Sequence, residues 1–241
     1  MHKLFRIILT MLPLAAFAAE GDRIGSAEGV SGEGFIEAAP LVNGSALTVG
    51  DRIGVGSGAD ASFRLTNGYL FSLGEMSSSQ ALSYVFSPSG ATPNAARFNL
   101  SGGSARVLPP AGQGTGEFAL VTPAGEVTSA NGAFAVVICG ANCSGRKGVF
   151  VSVLSGSVVI TNQAGVVIGE SGQTFFLGSF DTVAQLLTSV PDFVATIVGA
   201  FPAVAAAVDV TLSTPVGSIT LDFLAGVCET SVSPSETQCN R

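Results

Sequence analysis

The sequence predicts an all-β fold, and three observations predict it. The first is composition: 11% of residues are charged and 31 of 241 are glycine. A globular chain ordinarily carries about 25% charged residues and about 7% glycine. Low charge with abundant Gly, Ser, Thr and Val suits short strands joined by tight turns. The second is the run over residues 149–177, where Val149, Val151 and Val153 alternate with Phe150, Ser152 and Leu154. Apolar residues at nearly every position predict a strand covered on both faces. The third is spacing. Successive strand signals lie too close for crossover helices, which excludes a doubly wound α/β sheet. At 47% hydrophobic the chain has ample apolar surface to bury, so disorder is not expected.

The expected architecture is a β-sandwich-like domain of many short strands, followed by a short α-helical pair and a β-hairpin. Four segments are expected: a signal peptide over 1–18, a β domain over 19–180, a helical segment over 181–208, and a hairpin with a disulfide-held tail over 209–241.

Lys3 and Arg6 form a short positive region, Ile7 to Phe17 is apolar, and Ala16-Phe17-Ala18 fits a small-x-small cleavage pattern. This is the layout of a secretory signal peptide, with the cut before Ala19. The competing reading is an uncleaved anchor. No cysteine follows the apolar run, so a lipoprotein anchor is not expected. Removing 1–18 leaves eight basic against seventeen acidic residues, a net charge of −9, with Lys147 the only lysine. Neither a nucleic-acid footprint nor a basic lipid-binding face is expected.

Along the β domain, Gly21-Asp22-Arg23-Ile24-Gly25 recurs as Gly50-Asp51-Arg52-Ile53-Gly54, and Asn67-Gly68 marks a hairpin. Residues 87–116 carry Pro88, Pro93, Pro109 and Pro110 with several glycines and read as long loops. Thr122-Pro123-Ala124-Gly125 reads as a turn, and Asn162 to Gly165 as another. After Asp181 the texture changes. Val183, Leu186, Leu187 and Val190 follow helical spacing, and Val194, Ile197, Val198 and Phe201 repeat it. Pro191 separates the two predicted helices and Pro202 ends the second. These eight residues are the candidate interaction surface. A membrane hairpin is the alternative, but Phe193 to Val208 is only sixteen residues, where a span needs about 20. No stable membrane span is expected in the mature chain. Ile219, Leu221 and Phe223 then alternate with Ser218, Thr220 and Asp222, a half-buried strand.

Four cysteines lie in the exported part: Cys139, Cys143, Cys228 and Cys239. An even number in an oxidising compartment suggests two disulfides. Of three pairings, Cys139–Cys143 with Cys228–Cys239 closes the shortest loops. The cross-linked alternatives would tie the C-terminus to the middle of the chain. C-x3-C and C-x10-C with no mature histidine do not make a common zinc set.

The chemistry-bearing residues are sparse. The only histidine is His2, inside the predicted signal peptide. That removes Ser-His-Asp and Cys-His hydrolysis. A Ser–Lys dyad would need Lys147 near Ser144, where a solvated loop charge is the commoner explanation. No Gly-x-Ser-x-Gly elbow and no Walker Gly-Lys-Ser/Thr occur. Gly54-Val55-Gly56-Ser57-Gly58 lacks the G-x-G-x-x-G spacing, and one imperfect β-roll-like copy at Gly56–Asp60 does not complete a calcium shell. A carboxylate pair acting on polysaccharide is the enzymatic alternative, but the fifteen acidic residues beyond Asp22 form no recognisable set. No catalytic residue, cofactor or metal is expected.

Several segments together resemble the FecR domain family. Leu47-Thr48-Val49-Gly50-Asp51-Arg52-Ile53 resembles its L-x-x-G-D-x-I element. Ala61 to Gly68 resembles its next strand, with Asn67 where the family has Asp. Val121-Thr122-Pro123-Ala124-Gly125 resembles its T-P strand. Val151 to Val158 resembles its V-x-V-L-x-G-x-V element, and Gly169-Glu170-Ser171-Gly172-Gln173 its closing G-Q. The segments keep family order across residues 24–178. The resemblance implies a β-solenoid-like periplasmic domain used for protein contact. Signalling members relay an outer-membrane receptor state to a sigma factor. A cytoplasmic anti-sigma region like theirs is not expected in this chain, and Ala130-Asn131-Gly132-Ala133 stands where the family has R-G-T. No family catalytic residues exist to carry over.

The expected function is therefore an exported, non-enzymatic envelope scaffold, periplasmic or secreted in a Gram-negative bacterium. Its expected partner is another envelope protein or a surface polymer. The alternatives are a membrane-anchored, sigma-regulator-like signalling protein and a carboxylate-based enzyme.

Overall fold

The computed structural model describes residues 23–87, 89, 93–110, 116–140 and 146–201, and the backbone of 210–214 and 217–221. The predicted signal peptide, Cys143, Cys228, Cys239 and the polar tail lie outside these residues.

The described chain is all-β with one short helix. Its first strands are β1 (Arg23–Ser31), β2 (Gly34–Ile36), β3 (Ala39–Pro40), β4 (Ala46–Thr48), β5 (Arg52–Val55), β6 (Asp60–Leu65), β7 (Leu70–Leu73), β8 (Ser78–Val85) and β9 (Asn94–Leu108). They are followed by β10 (Gly116–Thr122), β11 (Gly125–Ser129), β12 (Ala133–Cys139), β13 (Gly148–Ser155), β14 (Ser157–Asn162), β15 (Gly165–Glu170), β16 (Thr174–Leu177) and β17 (Gln185–Leu186). The helix α1 is Asp192–Ala200. Beyond it, β18 (Val210–Thr214) and β19 (Gly217–Leu221) pair as an antiparallel hairpin in a separate unit. A hairpin, expected within 209–241, forms over Val210–Leu221.

The ladders form two layers. One runs β4–β1–β6–β7–β9–β12–β13–β16–β17. The other runs β3–β2–β5–β8–β9–β10–β11–β14–β15. Successive hairpins alternate between layers: β10–β11 in the second, β12–β13 in the first, β14–β15 in the second again. Every described pair is antiparallel except β9–β10.

Strand β9 belongs to both layers. Residues up to Gly102 pair with β8 and β10, and those from Gly103 pair with β7 and β12. Gly103 turns the chain between layers at φ +78°, a conformation that glycine adopts without steric cost. This corrects the expected long loop over 87–116. The prolines that suggested it flank the strand, with Pro93 before it and Pro109-Pro110 after it. Between them Ala96, Phe98 and Leu100 are buried on alternate positions.

The core fills the space between the layers. Phe71 of the first layer meets Phe98 and Phe118 of the second at 4.6 and 5.6 Å between centroids. Phe118 also meets Phe134 edge-on at 6.4 Å. Each such ring contributes roughly 1.5–3 kcal/mol by burial, with a further gain from offset and edge geometry. Ile24 and Ile53, from the two Asp-Arg-Ile-Gly copies, are both buried in this core, in different layers.

The outer face of the first layer is also covered. Register places Ser62, Ser72, Arg106, Ala135, Ser152 and Thr174 in one cross-strand row, and all are buried. Ser62 and Ser72 share a 2.9 Å hydrogen bond, and Ser152 and Thr174 one of 3.1 Å. Such pairing offsets the cost of burying hydroxyls. The next row, Val137, Phe150 and Phe176, packs with Cys139 beneath Val194 of α1. Both faces of β13 are therefore buried, as its sequence predicts.

Candidate functional site

Several exposed apolar side chains lie on and near β15. Its sequence, Gly165-Val-Val-Ile-Gly-Glu170, pairs on one side with β14, placing Val159 opposite Ile168 and Thr161 opposite Val166. Among the described residues β14 is the one strand paired in register with β15, so its other side has no partner strand there. Alternation turns Val158 and Ile160 of β14 into the core and leaves Val159 on the outer face. Val166 is 65% exposed and Ile168 64%.

The chain after β16 returns to this edge. The Gln163 amide donates to the Phe180 carbonyl at 3.0 Å, and Asn162 Nδ2 donates to the Thr182 carbonyl at 2.6 Å. The Ser179 hydroxyl donates to Asp181 Oδ1 at 2.5 Å, a bond that holds the Asp181 carboxyl below its ordinary range. These contacts fix residues 179–182 beside the β14–β15 turn. Phe180 (53%), Val183 (59%) and Leu186 (55%) are exposed there. An apolar rim results, running from the free edge of β15 along residues 180–186.

The structure divides the eight predicted surface residues. Val183, Leu186 and Val190 are exposed as expected. Val194 and Phe201 are buried, and Leu187, Ile197 and Val198 are half-buried against the cluster beneath α1. The predicted helix over Val183–Val190 is absent: Gln185–Leu186 forms β17 on β16, and the Leu187 amide donates to the Thr174 carbonyl at 2.9 Å. The free edge of β16 competed successfully with helical spacing in a segment too short to stabilise its own helix. Only the second helix of the pair forms. Val166, Ile168 and Phe180 were missed by helical spacing, although the alternation in Val158–Ile168 was legible.

Five of the described carboxylates make structural contacts. Glu28 pairs with Arg64 at 3.1 Å, and Glu126 with Arg97 at 2.8 Å. Asp51 accepts the Thr48 amide, Glu37 the Arg52 amide and Glu75 the Gly58 amide. Among the described residues no three His, Cys, Asp or Glu side chains converge as metal ligands. Arg106 lies over the Phe201 ring, 5.2 Å from its centroid, and burial lowers its pKa from the ordinary value. Cys139 is buried; both predicted disulfides involve residues outside those described. No helix among the described residues is long and apolar enough to cross a membrane.

No family model matches the chain, and no curated protein matches it. Two crystal structures, at 1.65 and 2.50 Å resolution, of a protein described as a putative anti-sigma factor from Parabacteroides distasonis ATCC 8503 are similar in part. They share 17% and 18% identity at a TM-score of 0.43, over 56% of this chain and 57% of theirs. The match thus spans little more than half of either protein.

Proposed function

We propose that this chain is an exported, non-catalytic β scaffold of FecR type that holds an envelope protein or surface polymer. The observation that carries the reading is the apolar rim. An unpaired edge strand offers a row of backbone donors and acceptors to another chain. Grouped apolar exposure is what contact surfaces present, whereas scattered exposure needs no explanation. Val166, Ile168, Phe180, Val183 and Leu186 are grouped around such an edge. The signal-peptide pattern over 1–18 supports an envelope location. The ordered FecR-like segments support a protein-contact role, which is that family's use of its β domain.

The test is photocrosslinking in the native host from a reactive residue at Ile168 or Leu186, with Asn43 as the control position. The mature mass is measured in the same cell fractions. The expected result is one dominant adduct from both rim positions, none from Asn43, and a chain beginning at Ala19 outside the inner membrane. Equal labelling from all three positions ends the rim reading. A full-length mass in the inner-membrane fraction replaces the scaffold with the anchored regulator.

A further inference from the structure

A groove of about 610 Å³, lined by no rim residue, opens between the start of β1, the β4–β5 turn and the end of β8. Arg23, Ile24, Val49, Tyr84, Val85 and Phe86 line it. Three observations bear on what fits there.

The first is a half-open strand. β8 pairs with β9 from Ser78 to Val85, but β5 covers only Ser78 to Gln80. Ala81 completes that contact through the Asp51 and Gly50 backbone, at 3.0 and 2.8 Å. From Leu82 onward no strand of the described residues lies on the β5 side, so a further strand can pair there. The second is an apolar wall that stays in place. Val49, Val85 and Phe86 are exposed. The Tyr84 hydroxyl is held by Thr66 Oγ1 at 2.6 Å and by the Asn67 amide at 2.7 Å, so its ring is fixed. The third is charge. Arg23 is the one charged residue lining the groove, in a chain of net charge −7. Its Nε donates to the Gly25 carbonyl at 3.2 Å, and no carboxylate of the described residues forms an ion pair with it.

We infer that this groove takes an extended peptide, which adds to β8 as a strand and sets a carboxylate against Arg23. Main-chain hydrogen bonds supply affinity in this mode, and alternate side chains supply specificity. The apolar alternate side chains meet Val49, Val85 and Phe86. A sugar polymer has no matching ladder of amides, so a peptide is the occupant. The inference rests on the protein-contact reading above but uses different residues, so the two fail separately.

The test is selection from a displayed library of random hexapeptides on the intact chain. Fluorescence polarisation of the enriched peptides follows. The expected peptides alternate β-branched or aromatic residues and carry one carboxylate. Arg23→Glu weakens them about fivefold, as expected for loss of an exposed ion pair. Methylation of alternate peptide amides abolishes binding, while Ile168→Asp leaves it unchanged. Amidating the peptide C-terminus distinguishes a terminal carboxylate from a side-chain one. Loss of binding in Ile168→Asp but not in Arg23→Glu assigns the peptides to the rim and overturns the groove. Absence of enrichment overturns it as well. So does enrichment only after residues 19–22 are deleted, which makes the chain's own N-terminal segment the occupant. Melting curves of each variant separate lost binding from lost folding.

Discussion

Phe98 and Phe118 stack with their centroids 5.4 Å apart and their planes 1° from parallel. They come from β9 and β10, the one parallel pair described. Phe118 also touches Tyr69, Phe71 and Phe134, so it joins both layers. Phe118→Ala is expected to cost about 3–5 kcal/mol in chemical denaturation. A loss near 1 kcal/mol would mean that the layers do not depend on this ring.

The crossing of β9 gives a paired prediction. A Cβ at Gly103 would sit 2.5 Å from the Ser77 Cα, at φ +78°, whereas Gly50 has φ +99° and open space around it. Gly50→Ala is expected to cost about 1–2 kcal/mol from backbone conformation alone. Gly103→Ala adds a backbone clash and is expected to cost roughly 3 kcal/mol or more. Equal losses in urea unfolding would remove the steric argument.

Arg106 and Phe201 tie the end of α1 to the outer face of the first layer. Phe201→Ala is expected to raise amide exchange in Asp192–Ala200 by at least about tenfold, because α1 is too short to persist without its packing. Exchange in β12 and β13 should change far less. Unchanged protection in α1 would show that Val194 and Ile197 hold it unaided.

Alkaline pH provides a further check. Burial, with the Glu117 carboxylate adding to it, raises the Tyr69 phenol above its ordinary pKa. Its hydroxyl donates to the Ala130 carbonyl at 2.9 Å, with the Gly116 carbonyl at 3.2 Å. The neutral form is thus favoured in the folded state. The unfolded phenol loses its proton first, so this stabilisation is complete below about pH 10 and fades above it. Tyr69→Phe should lower stability at neutral pH and flatten the decline above pH 10. An unaltered slope would assign the decline to other groups.

The sequence by itself determined the β character, the hairpins at Asn67-Gly68 and Thr122–Gly125, the two-faced burial of β13 and the second predicted helix. Each of these is local. Period-two alternation, a turn dipeptide or a proline boundary acts within a few residues, and no distant contact overrides it. Tertiary structure decided the rest. Whether Val183–Leu187 coils or pairs depends on the free edge of β16, which a helical wheel does not contain. Whether 94–108 is loop or strand depends on β8, β10, β7 and β12 all offering partners to one segment. The rim followed the same rule: Val166 and Ile168 read as ordinary strand residues until, among the described residues, the ladder ended at β15 with β14 as its one paired strand. Exposure is a property of where the last strand falls, and that is set by the order of pairing across the whole sheet.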